Sequence, residues 1–151
     1  EWSSAWIWFI TAQANVRPTD QLRVEARYQR QEYIRLSDKT TVATRDLPRL
    51  KVEYQLTRPI FLRLVAQYDI QRRDSLRDDS RTGFPLLIRN AVGVYQLTTP
   101  TRSNDLRVDW LFSFQPNPGT VFFAGYGSSL TERLRRNSDG FFVKLSYLFR
   151  L

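Results

Sequence analysis

The chain has 151 residues, enough for one domain, and contains no Cys, His or Met. That composition excludes disulfides, thiol nucleophiles, Ser–His dyads and the common soft-metal sites, so neither a cofactor nor a catalytic centre is expected. A net charge of +8 first suggests nucleic acid or an anionic surface as partner, and no stretch of roughly 18 apolar residues offers a transmembrane helix.

The dominant pattern is alternation with period two, which predicts strands. The first runs over about 2–14, with Trp6, Trp8, Ile10, Ala12 and Ala14 on one face and Ile7 and Phe9 starting the other. Over about 21–35, Leu22, Val24, Ala26 and Tyr28 alternate with Arg23, Glu25, Arg27 and Gln29. About 49–57 sets Leu50, Val52, Tyr54 and Leu56 against Lys51, Glu53 and Gln55. About 60–72 sets Leu62, Leu64, Ala66, Tyr68 and Ile70 against Arg63, Gln67, Asp69 and Gln71. About 103–115 sets Leu106, Val108, Trp110, Phe112 and Phe114 against Arg107, Asp109 and Ser113. The last two strands cover about 120–128 and 140–151, the latter with Phe141, Val143, Leu145, Tyr147, Phe149 and Leu151 against Lys144, Ser146 and Arg150.

A two-residue reversal inside Pro116-Asn117-Pro118-Gly119 pairs Gln115 with Thr120 in this reading. Val121, Phe123 and Gly125 then share the face of Trp110, which covers Gly125, while Phe122 and Tyr126 turn to the other side.

Short connections at 16–20, 57–59 and 116–119 alternate with long polar ones at roughly 36–48, 73–102 and 128–139. Short turns on one side of a membrane and long loops on the other produce such alternation. The strand lengths also suit a tilted crossing of about 9–11 residues. The expected fold is therefore all-β, an antiparallel up-and-down transmembrane β-barrel with about seven strands here. Residues 1–151 form the C-terminal portion of one barrel domain, and 73–102 form a long extracellular loop or excursion. Ile88, Val92, Val94 and Leu97 lie in that excursion, because an eighth spanning strand there would reverse the polarity of everything after it.

The charged faces would line the lumen. The candidates are Arg23, Glu25, Arg27, Lys51, Glu53, Arg63, Asp69, Arg107, Asp109, Tyr126, Lys144 and Arg150. Bases exceed acids, which would attract anionic solutes. Cross-strand pairing is the blander role: Arg49 or Lys51 with Asp69, Glu53 with Arg63, and Glu25 with Arg23 and Arg27. Aromatic girdles are expected from Trp6, Trp8 and Tyr28 at one rim and from Phe112, Phe114, Tyr147 and Phe149 at the other. Nucleic acid is not an expected partner, since basic and aromatic residues fall on opposite faces. Asp78-Asp79, with Asp69 near the same loop, could form a carboxylate pair for glycoside cleavage or calcium, but adjacent Asp residues on an Arg-rich loop are read as solvated.

Tyr147-Leu148-Phe149-Arg150-Leu151 places Tyr147, Phe149 and Leu151 in alternation at the end, resembling the terminal strand recognised by the barrel-assembly machinery, with Leu where that pattern usually has Phe. A wider likeness rests on Gln115-Pro116-Asn117-Pro118-Gly119-Thr120-Val121-Phe122-Phe123, on Gly125-Tyr126-Gly127 and on Phe142 through Arg150, with a looser fit from Gln71 to Leu86. On these segments the chain resembles the C-terminal barrel of large outer-membrane proteins of unknown function whose N-terminal part is similar to a family-nine carbohydrate-binding module. The resemblance implies a bacterial outer-membrane location, further strands upstream, a link to carbohydrate binding or uptake, and no catalytic residues. The start, with neither Met nor leader, and the odd strand number carry the same expectation: upstream chain or other subunits close the wall. Function is then a pore or transporter wall in the lipid bilayer, or alternatively a non-conducting barrel that anchors or exports a binding domain, its lumen filled by salt bridges or a plug.

Overall fold

A computed structural model describes residues 4–78, 81–131 and 135–147. The alternating segments form strands, and among the described residues there is no helix. They are β1 (Ala5–Val16), β2 (Leu22–Arg35), β3 (Thr41–Thr57), β4 (Ile60–Arg73), β5 (Leu87–Arg89), β6 (Tyr95–Leu97), β7 (Thr101–Asn117), β8 (Thr120–Thr131) and β9 (Arg135–Tyr147). Seven of them make one antiparallel up-and-down sheet in the order β1-β2-β3-β4-β7-β8-β9. β4 pairs directly with β7 from Ile60↔Phe114 to Arg73↔Thr101. The intervening β5 and β6 pair only with each other, outside that sheet. Among the described residues the sheet is open, with β1 and β9 as its edges.

Two strands run further than their sequence suggests. β3 begins at Thr41, so most of the expected loop at 36–48 is strand. Charged Arg45 and Asp46 and the helix- and ladder-breaking Pro48 disguise it. Pro48 has no N–H to give β4, and the β3–β4 ladder skips from Asp46↔Ile70 to Arg49↔Gln67 while keeping its register. Likewise β8 and β9 pair through Thr131↔Arg135, which absorbs nearly all of the expected loop at 128–139. The only long connection left among the described ends is 74–100, so the strict alternation of short and long connections does not hold.

The β7–β8 hairpin differs in register. Asn117 faces Thr120, but the next pair is Phe114↔Phe122. Gln115 and Pro116 together oppose Val121, a bulge placed where proline lacks the N–H for a ladder bond. One extra residue flips every later side chain. Phe122, Ala124 and Tyr126 therefore share the face of Phe114, Phe112 and Trp110, and Phe123 and Gly125 take the charged face. The Trp110 and Tyr126 rings lie 6.5 Å apart.

Gly125 is covered after all, by Phe142 across β8–β9 rather than by Trp110: a Cβ at 125 would run into the Phe142 ring. Gly125→Ala is expected to lower stability by about 1 kcal/mol, because the ring must swing off the strand. Measured in a double-mutant cycle, most of that loss should vanish in a Phe142→Ala background and persist in a Trp110→Ala background. The reverse pattern would restore the original register.

Candidate functional site: a charged cleft and an apolar outer face

Cross-strand registers sort the side chains of the sheet into two faces. One row of the first face reads Val16, Val24, Val52, Leu64, Trp110, Tyr126, Phe141 from β1 to β9. The row of the second face just above it reads Asn15, Glu25, Lys51, Val65, Asp109, Gly127, Gly140.

No other described element covers the apolar face of the sheet. Among the described residues no hydrophobic side chain is buried. Leu50, Leu62, Leu64 and Trp110 stand exposed at 40–45 %, whereas Lys51, Glu53 and Arg63 are only half-exposed. On the charged side Arg49 and Lys51 of β3, Arg63 of β4, Arg107 and Asp109 of β7, Gly127 of β8 and Phe142 of β9 line one cleft of about 880 Å³.

The apolar band also crosses the ladder diagonally. On β9 it comprises Phe141, Val143, Leu145 and Tyr147, with Asp139 and Arg136 above. On β1 it comprises Trp6, Trp8, Ile10, Ala12, Ala14 and Val16. The uppermost apolar residue of β9, Phe141, lies in the row whose β1 member is Val16, the lowest there. Above the band on β2 and β3 the same face turns polar. Asp46 accepts a hydrogen bond from the Tyr28 hydroxyl (2.5 Å) and pairs with Arg30 at 3.4 Å.

The sequence candidates fall as follows. Arg23, Glu25, Arg27, Lys51, Glu53, Arg63, Asp69, Arg107, Asp109 and Lys144 all lie on the charged face. Tyr126 borders the same cleft, but the bulge at Pro116 places it on the face of Trp110 rather than the charged one, and Phe122 moves with it. Tyr147 ends β9 on the apolar face. Arg150, Phe149 and Leu151 lie outside the described residues, as does Asp79.

Pairing also differs in its partners. Asp69 is held by a two-pronged bond from Arg45, through Nε at 3.0 Å and Nη2 at 2.5 Å, not by Arg49 or Lys51. Arg45 lay hidden in the segment read as loop. Glu53 stands opposite Arg63 as expected, yet its ion pair is with Lys51 at 3.1 Å. Lys51 also reaches Glu25 at 3.8 Å, taking the place expected of Arg23 and Arg27. Arg107 binds Asp109 at 3.0 Å. With these acids engaged, Arg23, Arg27, Arg49 and Arg63 make no ion pair among the described residues.

At the upper end a second cluster fastens the 74–100 excursion. Arg35, wholly buried at the end of β2, donates to Thr40 Oγ1 at 2.9 Å, Asp74 Oδ2 at 3.1 Å and the Ser75 carbonyl at 3.3 Å. Arg77 reaches the same Asp74 oxygen at 2.9 Å, and Thr98 Oγ1 donates to the Leu76 carbonyl at 2.7 Å. Burial opposes the charged form of Asp74. The Arg35 bond, the Ser75 N–H and the nearby guanidiniums outweigh it and hold the carboxyl below its ordinary range. In the β2–β3 turn, the Thr40 hydroxyl and N–H lower Asp38 in the same way. No group of acids among the described residues is arranged to hold a metal ion.

No protein-family model matches the chain, and no curated protein or solved structure is significantly similar to it.

Proposed function

We propose that this sheet is a section of the wall of a bacterial outer-membrane β-barrel, its apolar face toward lipid and its charged, concave face toward an aqueous lumen. The observation that carries the reading is the uncovered apolar face: a seven-stranded sheet with one apolar side and no buried hydrophobic side chain among its described residues. In water such a face has no solvent that suits it, whereas hydrocarbon does. The diagonal course of the apolar band supports a tilted crossing. Open edges cost several kcal/mol per unpaired group in lipid, so β1 and β9 need further strands to pair with, from the same polypeptide or from other subunits.

The role proposed for the wall is that of a pore or transporter-like protein, with the link to carbohydrate binding or uptake resting on the resemblance alone. The charged cleft favours this reading over the non-conducting alternative, because two of its arginines, Arg49 and Arg63, are not neutralised by an acid among the described residues of the sheet.

The test is to run isolated outer membranes on a denaturing gel, boiled and unboiled, and to identify the band by mass spectrometry. A band that migrates anomalously until boiled is expected. Recovery in the soluble fraction with no shift on boiling would falsify the membrane reading. Conductance in a planar bilayer then separates the two roles: steady ionic current is expected of a pore, silence of a filled barrel.

A further inference from the structure

The row above Lys51 and Asp109 on the charged face holds a concentration of hydrogen-bond donors. From β1 to β9 it reads Gln13, Arg27, Arg49, Gln67, Arg107, Ser129, Ser138. Arg27 and Arg49 are directly opposed, which brings their Cβ atoms to about 5 Å and sets like charges against each other. Such a pair destabilises a sheet unless something between the two compensates it. The acids of the two neighbouring rows do not: Glu25 is engaged by Lys51 and Asp109 by Arg107 on one side, and on the other Asp105 stands two strands away from Arg49. Further up, Asp69 is engaged by Arg45. Arg49, Arg63 and Arg107 line the cleft, and Gly127 and Gly140 on its floor carry no side chain that would fill it.

We infer that Arg27 and Arg49, with Arg107 further along their row and Arg63 two rows below, form a binding station for a multiply charged oxyanion, a phosphorylated or polycarboxylated solute that enters the lumen. Two guanidinium forks side by side match the oxygens of phosphate or carboxylate in a way that lysines do not. Gln67 and the Ser129 and Ser138 hydroxyls extend the donors along the row toward β9, so a solute longer than one phosphate stays hydrogen-bonded as it moves. The inference rests on the lumen-facing reading of this side of the sheet and names the solute class that reading leaves open.

The experiment uses the full protein, folded in detergent, with pyrophosphate as probe in a calorimetric titration and a boiled/unboiled gel of every sample. Saturable binding that weakens as KCl rises is expected. Arg27→Gln with Arg49→Gln should weaken it at least about tenfold and leave the gel shift intact, since the change relieves repulsion. Arg27→Lys with Arg49→Lys, which keeps the charge and removes the forks, should fall between. Arg102→Gln, in a row of the opposite face, should bind as wild type. A protein that shifts on boiling yet binds no pyrophosphate, or binds it equally in the glutamine variant, overturns the station while leaving the wall reading in place. If the glutamine variant instead shifts at a lower temperature, the arginines are paired with acids of the strands that close the wall, which also overturns it. A wild-type protein that is soluble and shows no shift removes the wall reading and the station together.

Discussion

Replacing Leu64 by arginine is expected to destabilise the protein in phosphatidylcholine vesicles by about 2–4 kcal/mol, the cost of a cation at the bilayer midplane of a barrel wall. Leu64 sits midway along the apolar residues of β4, between Ile60 and Ile70, and is 42 % exposed. Replacing the adjacent Arg63 by leucine should change stability by no more than about 0.5 kcal/mol, because Arg63 faces the cleft and its opposite number Glu53 is already held by Lys51. Ile70→Arg, further up the same strand and opposite Asp46, should cost at most about 1 kcal/mol. Denaturant midpoints read from the folded and unfolded gel bands would give all three values. A neutral Leu64→Arg beside a damaging Arg63→Leu means that the faces have been assigned the wrong way round. Equal costs at 64 and 70 point to a face covered by protein rather than to a lipid slab.

The legible part of this architecture was what a period of two encodes. Leu22 to Tyr28, Leu50 to Tyr54, Leu62 to Ile70, Leu106 to Phe114 and Phe141 to Tyr147 alternate, interrupted by Val65, Leu111 and Phe142, and the registers place all five runs on one face. Strand order followed from the connections, except that β5 and β6 were joined to no named element in advance. Errors arose where a single residue changes the phase or the continuity of a strand. Pro116 introduces the bulge that carried Tyr126 and Phe122 to the other face, and nothing in residues 120–128 signals it, because Phe122-Phe123 is apolar in both phases. Pro48 and the charges before it made the first part of β3 look like loop, and with it went Arg45, the true partner of Asp69. The arginine row was half legible. Arg27, Arg49 and Arg107 could each be placed on the charged face, but the direct opposition of Arg27 and Arg49 depends on register.

The buried lock at the upper end was not legible at all, since its two halves, Arg35 with Thr40 and Asp74 with Ser75 and Arg77, lie far apart in the chain: Arg35 and Asp74 are 39 positions apart. It nevertheless predicts a large effect. Arg35→Met removes a wholly buried guanidinium together with its bonds to Thr40, Asp74 and Ser75, and leaves Asp74 to Arg77 and the Ser75 N–H. Breaking one side of a buried pair costs about 3 kcal/mol or more. Here the loss should appear as local opening of the excursion rather than as global unfolding, because the sheet itself keeps its ladder. Trypsin should then cut after Arg77, Arg81 or Arg89 roughly a hundredfold faster, with the boiled/unboiled gel shift unchanged. The double variant Arg35→Met, Asp74→Asn should be cut more slowly than Arg35→Met, since the carboxylate left behind carries part of the penalty. Acid should imitate the mutation. The folded carboxyl of Asp74 lies below the ordinary value of 3.8, so its contribution is fully present above that value and is lost as the pH falls through the lower, folded one. Hydrogen exchange in the 81–97 amides should therefore speed up, beyond its intrinsic pH dependence, only once the pH drops under about 3.8, and the Asp74→Asn variant should lack that transition. An excursion that stays equally protected in Arg35→Met would mean that β5 and β6 are fastened by other contacts, and that the Arg35 cluster serves the β2–β3 turn alone.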